Sequence, residues 1–220
     1  PNILVPGLPT TFEPDTTYDY ELGLKTSFLD GKGFLDLSLY NIDWKNIQVL
    51  TFSNGINGQT NGGSATSRGV EAALRLEPIA GLTLSGTLAY SDAKLNQTIP
   101  GGLGNKGDRM PMNPKWSGSV SAEYQWPMGG RTEGFAGVAA SFVGKRYSGF
   151  QSSLVYAQYT LPSYALVNLR GGIRFDDWEF SVFVRNVGDE HAQLGATTIA
   201  SNLVAVQRPR TIGAAISTRF

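Results

Sequence analysis

Apolar and polar residues alternate with a period of two through most of this chain. From Gly69 to Glu77, GVEAALRLE sets Val70, Ala72, Leu74 and Leu76 on one face and Glu71, Ala73, Arg75 and Glu77 on the other, as a pleated strand requires. LTLSGTLAY repeats the pattern, with Leu82, Leu84, Leu88 and Tyr90 against Thr83, Ser85, Thr87 and Ala89. WSGSVSAEYQW sets Trp116, Val120, Ala122, Tyr124 and Trp126 against Ser117, Ser119, Ser121, Glu123 and Gln125, so its apolar face begins and ends on tryptophan. The pattern predicts nine strands, near 18–29, 34–52, 65–78, 82–94, 113–126, 133–147, 162–175, 178–187 and 207–220.

The connections between these strands alternate in length. Residues 30–33, 79–81, 127–132 and 176–177 are short and carry turn chemistry, as in DGKG, IAG, PMGGRT and DD. Residues 53–64, 95–112, 148–161 and 188–206 are long, and stretches such as SNGINGQTNGGS read as solvated and mobile. Consecutive antiparallel strands reverse direction, so all tight turns fall on one rim and all long loops on the other. That segregation is the outer-membrane barrel pattern.

A soluble β-sandwich also alternates, but its strands are usually five or six residues long, shorter than those expected here. Aromatic residues gather near the expected strand ends, at Tyr18, Tyr20, Trp44, Tyr90, Trp116, Tyr124, Trp126, Tyr147, Tyr164 and Trp178, as interfacial girdles require. The reading is therefore all-β: a transmembrane antiparallel up-and-down β-barrel. Bacterial single-chain barrels have even strand numbers with both termini periplasmic. Nine strands with a periplasmic Phe220 then imply further strands upstream, with residues 1–17 the end of a preceding extracellular loop and 18–220 the C-terminal portion of a larger barrel.

Composition agrees. Only 16% of residues are charged, below the roughly 25% usual for soluble domains. The 18 basic and 18 acidic residues cancel, which removes the broad positive field of a nucleic-acid binder. With no Cys and one His, thiolate and His-rich metal sites are excluded, and no cofactor is expected.

Several stretches, in order, resemble the final part of TonB-dependent outer-membrane receptors: YELGLKTSFLDGKGFLDLSLYNIDWKNIQV from Tyr20, SRGVEAALRLEPIAGLTLSGTLAYSDAKL from Ser67, MPMNPKWSGSVSAEYQW, FSVFVRNVGDEHA and the closing RPRTIGAAISTRF. The resemblance covers about residues 18–220. It implies the last nine or so strands of a 22-stranded barrel in the outer membrane of a Gram-negative bacterium, with Phe220 as the signal for the barrel-assembly machinery. The plug domain and TonB-binding box of the family lie outside this chain. The implied function is TonB-dependent uptake of a scarce nutrient, by default a ferric siderophore. Implied partners are outer-membrane lipids, the upstream strands and plug, and the TonB system through the plug. A passive porin or adhesion barrel is the alternative.

Candidate residues follow from the alternation. Glu71, Arg75, Arg170, Arg174 and Arg185 fall on the less apolar phase; a Lys or Arg facing lipid near the midplane costs roughly 2–4 kcal/mol, so these face the lumen. There they serve a substrate path or plug contacts, or ordinary solvation and cross-strand pairing. Arg109, Lys145, Arg146, Tyr147, Tyr156 and Tyr159 form a cation-plus-aromatic set on the long loops. Such a set suits capture of an anionic, catechol-rich or glycan ligand, and equally an interfacial girdle with headgroup-binding basic residues. Two motifs carry no chemistry. GLGNKG, Gly102–Gly107, matches a dinucleotide fingerprint, but the following DRMPMNP forbids the helix that fingerprint needs. Asp189, Glu190 and His191 read as a loop start rather than a catalytic group, and no catalytic residue is expected.

Overall fold

The computed structural model describes residues 10–53, 56–155, 157–197 and 203–218. In chain order the strands are β1 (Thr16–Phe28), β2 (Gly33–Lys45), β3 (Gln48–Ser53), β4 (Ile56–Asn61), β5 (Ser64–Leu76), β6 (Leu82–Leu95), β7 (Trp116–Gly129) and β8 (Thr132–Val143). They continue with β9 (Arg146–Tyr147), β10 (Thr160–Leu161), β11 (Tyr164–Phe175), β12 (Trp178–Arg185), β13 (Gln193–Thr197), β14 (Leu203–Val206) and β15 (Thr211–Thr218). Nine form one sheet in the order β1-β2-β5-β6-β7-β8-β11-β12-β15. Every neighbour is antiparallel, so the sheet runs strictly up and down, and β1 and β15 are its two edges.

Register gives each face continuous rows. Leu22, Leu39, Val70, Tyr90 and Trp116 stand side by side across five strands; Val138, Leu169, Val184 and Ile212 do so across the last four. Among the described residues nothing is packed upon this apolar face: Leu22 is 73% exposed, Val120 63% and Ile212 75%. A sandwich would bury that face against a second sheet. A barrel wall leaves it to lipid. On β7 the ten residue steps from Trp116 to Trp126 cover about 34 Å along the strand, or about 24 Å of height at a tilt of about 45°, matching the apolar band of about 25 Å in outer-membrane barrels.

Turns and glycines set the strand ends. Gly129 and Gly130 both take positive φ, 101° and 59°, to reverse the chain between β7 and β8. Five glycines do something else: each stands opposite an aromatic ring that lies across it, pairing Phe28 with Gly33, Tyr40 with Gly69, Trp126 with Gly134, Phe135 with Gly172 and Phe183 with Gly213.

The structure corrects several expected boundaries. The strand expected over 34–52 is two, because Asn46 takes φ 53° and breaks the pleat. Its second piece, β3, pairs with β4, so the loop expected to be solvated and mobile carries a hydrogen-bonded ribbon. The strand expected to reach 147 stops at Val143. The ladder resumes as β9 against β10, interrupted by Pro162, which has no N–H to give. The strand expected over 178–187 ends at Arg185, since Asn186 again takes φ 53°. The closing strand starts at Thr211 rather than 207, after Pro209; Arg219 and Phe220 lie outside the described residues. Trp44 and Tyr164, expected in the girdles, stand by register on the polar face, opposite Ala65 and Val143.

Burial concentrates on the long-loop rim, where Ile47, Ala65, Leu95, Ile99 and Leu103 form a cluster with Trp44, Val49, Met110 and Phe150 against it. All three short ribbons, β3-β4, β9-β10 and β13-β14, rise from this rim.

Candidate functional site

The polar face carries the expected charges in two separate groups. Arg170 bonds to Glu123, and Arg174 Nε donates to Glu179 Oε2 at 2.9 Å. Between the two guanidinium groups lies the ring of Phe135, which is 1% exposed, with Arg170 5.4 Å and Arg174 4.6 Å from its centroid. Arg185 stands beside this ladder with its guanidinium 4.7 Å from the Phe183 ring centroid. Glu123, Asn168, Arg170, Phe183 and Arg185 line a hollow of about 400 Å³. Glu71 and Arg75 belong elsewhere. Glu71 stands opposite Ser38 and Ala89, near the Lys25–Asp36 pair at 3.2 Å; Arg75 pairs with Glu77 at 2.8 Å near the tight-turn rim. These pairs are solvated, and each contributes in the range of about 0–1 kcal/mol.

At the long-loop rim, on the same polar face, Ile42, Trp44, Ala93, Met110 and Pro111 line a second hollow of about 330 Å³, predominantly apolar. Trp44 is fixed by its indole N–H, which donates to Asp15 Oδ2 at 2.9 Å.

The loop set is partly brought together. Arg109 and Lys145 both approach the Tyr147 ring, at 5.5 and 5.6 Å from its centroid. Arg146 is buried and turned inward: it donates to the carbonyls of Gln193 at 2.9 Å and Leu194 at 3.3 Å and stacks on Tyr164 at 5.4 Å. Its task is to hold the loop after β12 against β9. Tyr159 joins the same seam, its hydroxyl donating to Gln193 Oε1 at 2.9 Å. Tyr156 lies outside the described residues.

Two further residues organise the rim. Asp108 is buried, and its Oδ2 accepts from the amides of Asn105 and Ser152, both at 3.1 Å, and from the Ser152 hydroxyl. Burial raises its pKa, but the Ser152 hydroxyl and the two amides outweigh that and hold it below the ordinary carboxylate value. Asp108 thereby stitches the loop after β6 to the loop after β8, reinforced by Leu154 N–H donating to Gly102 O at 2.7 Å. GLGNKG is part of this clasp. Asn186, 2% exposed, donates from Nδ2 to the carbonyls of Glu190 and Arg208 and accepts at Oδ1 from Glu190 N–H. Asp189 accepts from Arg210 N–H at 2.7 Å. The acidic turn before His191 is thus occupied in tying the start of the last long loop to its end.

The family described as TonB dependent receptor-like, beta-barrel matches residues 4–187. The metal-pseudopaline receptor CntO of Pseudomonas aeruginosa is 31% identical over 160 residues, 72% of this chain and 21% of that receptor. The ferric yersiniabactin uptake receptor FyuA from Yersinia pestis superposes with a TM-score of 0.77 at 19% identity, covering 95% of this chain and 32% of FyuA. The siderophore receptor PiuA from Acinetobacter baumannii gives 0.76 at 18% identity, covering 96% and 30%. This chain therefore spans about a fifth of the curated relative's length. Barrels of this kind are Gram-negative outer-membrane proteins, which places the apolar face in lipid and the nine-stranded sheet in a barrel wall. The chain belongs to the TonB-dependent receptor β-barrel family.

Proposed function

We propose that this chain forms part of the wall of a TonB-dependent transporter that takes up a scarce metal as its chelate, a ferric siderophore or a related metal–chelator complex. The polar face is then the lumen, and residues 18–220 belong to the barrel rather than to the plug. One observation supports the reading most directly: that face carries an apolar, tryptophan-edged hollow at the long-loop rim and, on the strands further along the sheet, a ladder of arginines and carboxylates. The hollow suits the organic part of a chelate. Arg170, Arg174, Arg185, Glu71 and Arg75 supply a hydrated lumenal lining against which a plug packs and shifts. The named cargoes of relatives, a metal–pseudopaline complex and ferric yersiniabactin, are of the same chemical class.

The test uses the full-length protein in its own cell. Radioiron is supplied as catecholate, hydroxamate and aminocarboxylate complexes, with and without a functional TonB system. Uptake of at least one complex that disappears with the gene and with TonB supports the reading. Absence of uptake of all three, together with a steady open conductance in planar bilayers, overturns it in favour of a passive pore.

A further inference from the structure

The long connections are tied to one another in order around the wall. The segment before β1 is held by the ribbon after β2: Glu13 N–H donates to Asn61 Oδ1 at 2.8 Å, and Asn61 Nδ2 donates back to Glu13 O at 2.9 Å. That ribbon is joined to the loop after β6, where Asn96 N–H donates to Ser64 O at 2.8 Å and Ile99 shares a buried cluster with Ile47. Asp108 ties the loop after β6 to the loop after β8 through Ser152. Arg146 and Tyr159 tie the loop after β8 to Gln193 on β13. Each of these connections is thus joined to the next.

The series stops at β14. β13 pairs with β14, and β14 has no other strand beside it among the described residues. Its sequence, LVAV, is exposed throughout, with Leu203 at 62% and Val206 at 57%. Adjacent strand residues point to opposite faces, so β14 is bare on both faces as well as along its edge. Lipid does not account for this. The β12–β15 ladder ends at the Arg185–Thr211 pair, with Ile212 the last apolar residue of the outward row. The stretch QRPR, residues 207–210, then separates β15 from β14 with two arginines. An apolar edge strand that stands beyond the membrane is a site for another segment of protein.

We propose that β14 is the docking edge for one particular segment of the full-length protein outside these 220 residues: the long-loop-side connection of the barrel strand that closes against β15. Three observations select that occupant. First, β14 lies outside β13, which faces β10, just as β15 lies outside β12, which faces β11. The free edge of β14 therefore continues the free edge of β15, the seam that the closing strand must fill. Second, the length is available, since this chain covers only 32% of FyuA and 30% of PiuA. Third, the neighbouring connections are each joined to the next, and docking at β14 carries that series across the seam. The edge offers backbone N–H and C=O groups for strand addition, and Leu203, Val204 and Val206 offer apolar cover. The inference rests on the family's barrel and is independent of which cargo the barrel takes.

The test uses the full-length receptor in outer-membrane vesicles. Hydroxyl-radical footprinting of wild type is expected to label Leu203 and Val206 at least about 5-fold more slowly than Leu154, which is 89% exposed, because the core of an interface excludes water. A photo-crosslinking residue placed at Leu203, Val204 or Val206 is expected to capture peptides of the same polypeptide from outside residues 1–220. Those peptides are expected to adjoin, on its long-loop side, the strand that the same probe captures from Ala214 on β15. Labelling of Leu203 and Val206 at the rate of Leu154 overturns the proposal and needs no variant to fold. Capture of lipid, of a second polypeptide or of residues 1–220 alone also overturns it. Protection and capture in a receptor that takes up no chelate support this inference while overturning the transport reading.

Discussion

Asp108 makes the long-loop rim sensitive to pH. Its carboxylate is buried among donors that prefer the charged form, and its pKa lies below the ordinary value, which is about 3.9 for an unfolded Asp. A group with a depressed folded pKa contributes its full stabilisation above the unfolded value and loses it as pH falls through the folded one. The clasp between the loops after β6 and β8 is therefore expected to be unchanged from pH 7 to pH 5 and to loosen below about pH 4. Asp108→Ala leaves both Ser152 donors without their acceptor and the Asn105 amide with the Ser152 hydroxyl alone, a local cost of about 1–3 kcal/mol. Hydrogen exchange of residues 100–110 and 149–155 checks both statements: the variant exchanges faster at pH 7 and shows no further step below pH 4. A wild-type clasp that tightened in acid would contradict the assignment. None of this was legible in the sequence, where Asp108 sits in a Gly- and Asn-rich stretch and its partner Ser152 is 44 residues away. The charges of Arg170 and Arg174 were legible as one polar phase, but their meeting across Phe135 depends on the β8–β11 register, which alternation alone does not fix.

At the scale of the strand, the recurring device is an aromatic ring laid over a cross-strand glycine. A methyl group added at Gly172 would lie 2.8 Å from Phe135 Cζ and closer still to the Phe180 carbonyl; one added at Gly213 would lie 2.5 Å from Phe183 Cζ. The rings cover backbone that glycine leaves bare, and Phe135 in turn holds two arginines apart. Gly172→Ala is expected to displace Phe135 and cost about 1–3 kcal/mol by overpacking. It should appear as a lower temperature for the loss of compact gel mobility of the full-length barrel, with Gly149→Ala, whose added carbon meets open space, leaving that temperature unchanged. An unchanged temperature for Gly172→Ala would show that the ring yields freely. Strand existence and phase were readable from period-two alternation because one face must meet lipid and the other water. The ribbons β3-β4, β9-β10 and β13-β14 were not, since they stand above the membrane where no such contrast acts, and their ends depend on single residues such as Asn46 and Pro162.

The nine strands together form a wall with two open edges among the described residues, β1 and β15. Strands alternate in direction, so the first and ninth point the same way, and joining them would require a parallel pair in a sheet whose other contacts are all antiparallel. In lipid, each unpaired edge N–H or C=O costs several kcal/mol, so the described nine-stranded sheet, with its edges unpaired, sits in a bilayer only at high cost. Relatives solve this with a longer chain: residues 10–218 describe a segment whose solved counterparts are about three times longer, with coverage of 32% in FyuA and 30% in PiuA. The 220-residue chain refolded in detergent is therefore expected to migrate in gels at the same position heated or unheated, and to leave the edge strands β1 and β15 unprotected in hydrogen exchange. The full-length protein is expected to migrate faster unheated than heated and to protect both. A compact, heat-sensitive form of the isolated chain, with β1 and β15 protected, would mean that the two edges pair despite their common direction.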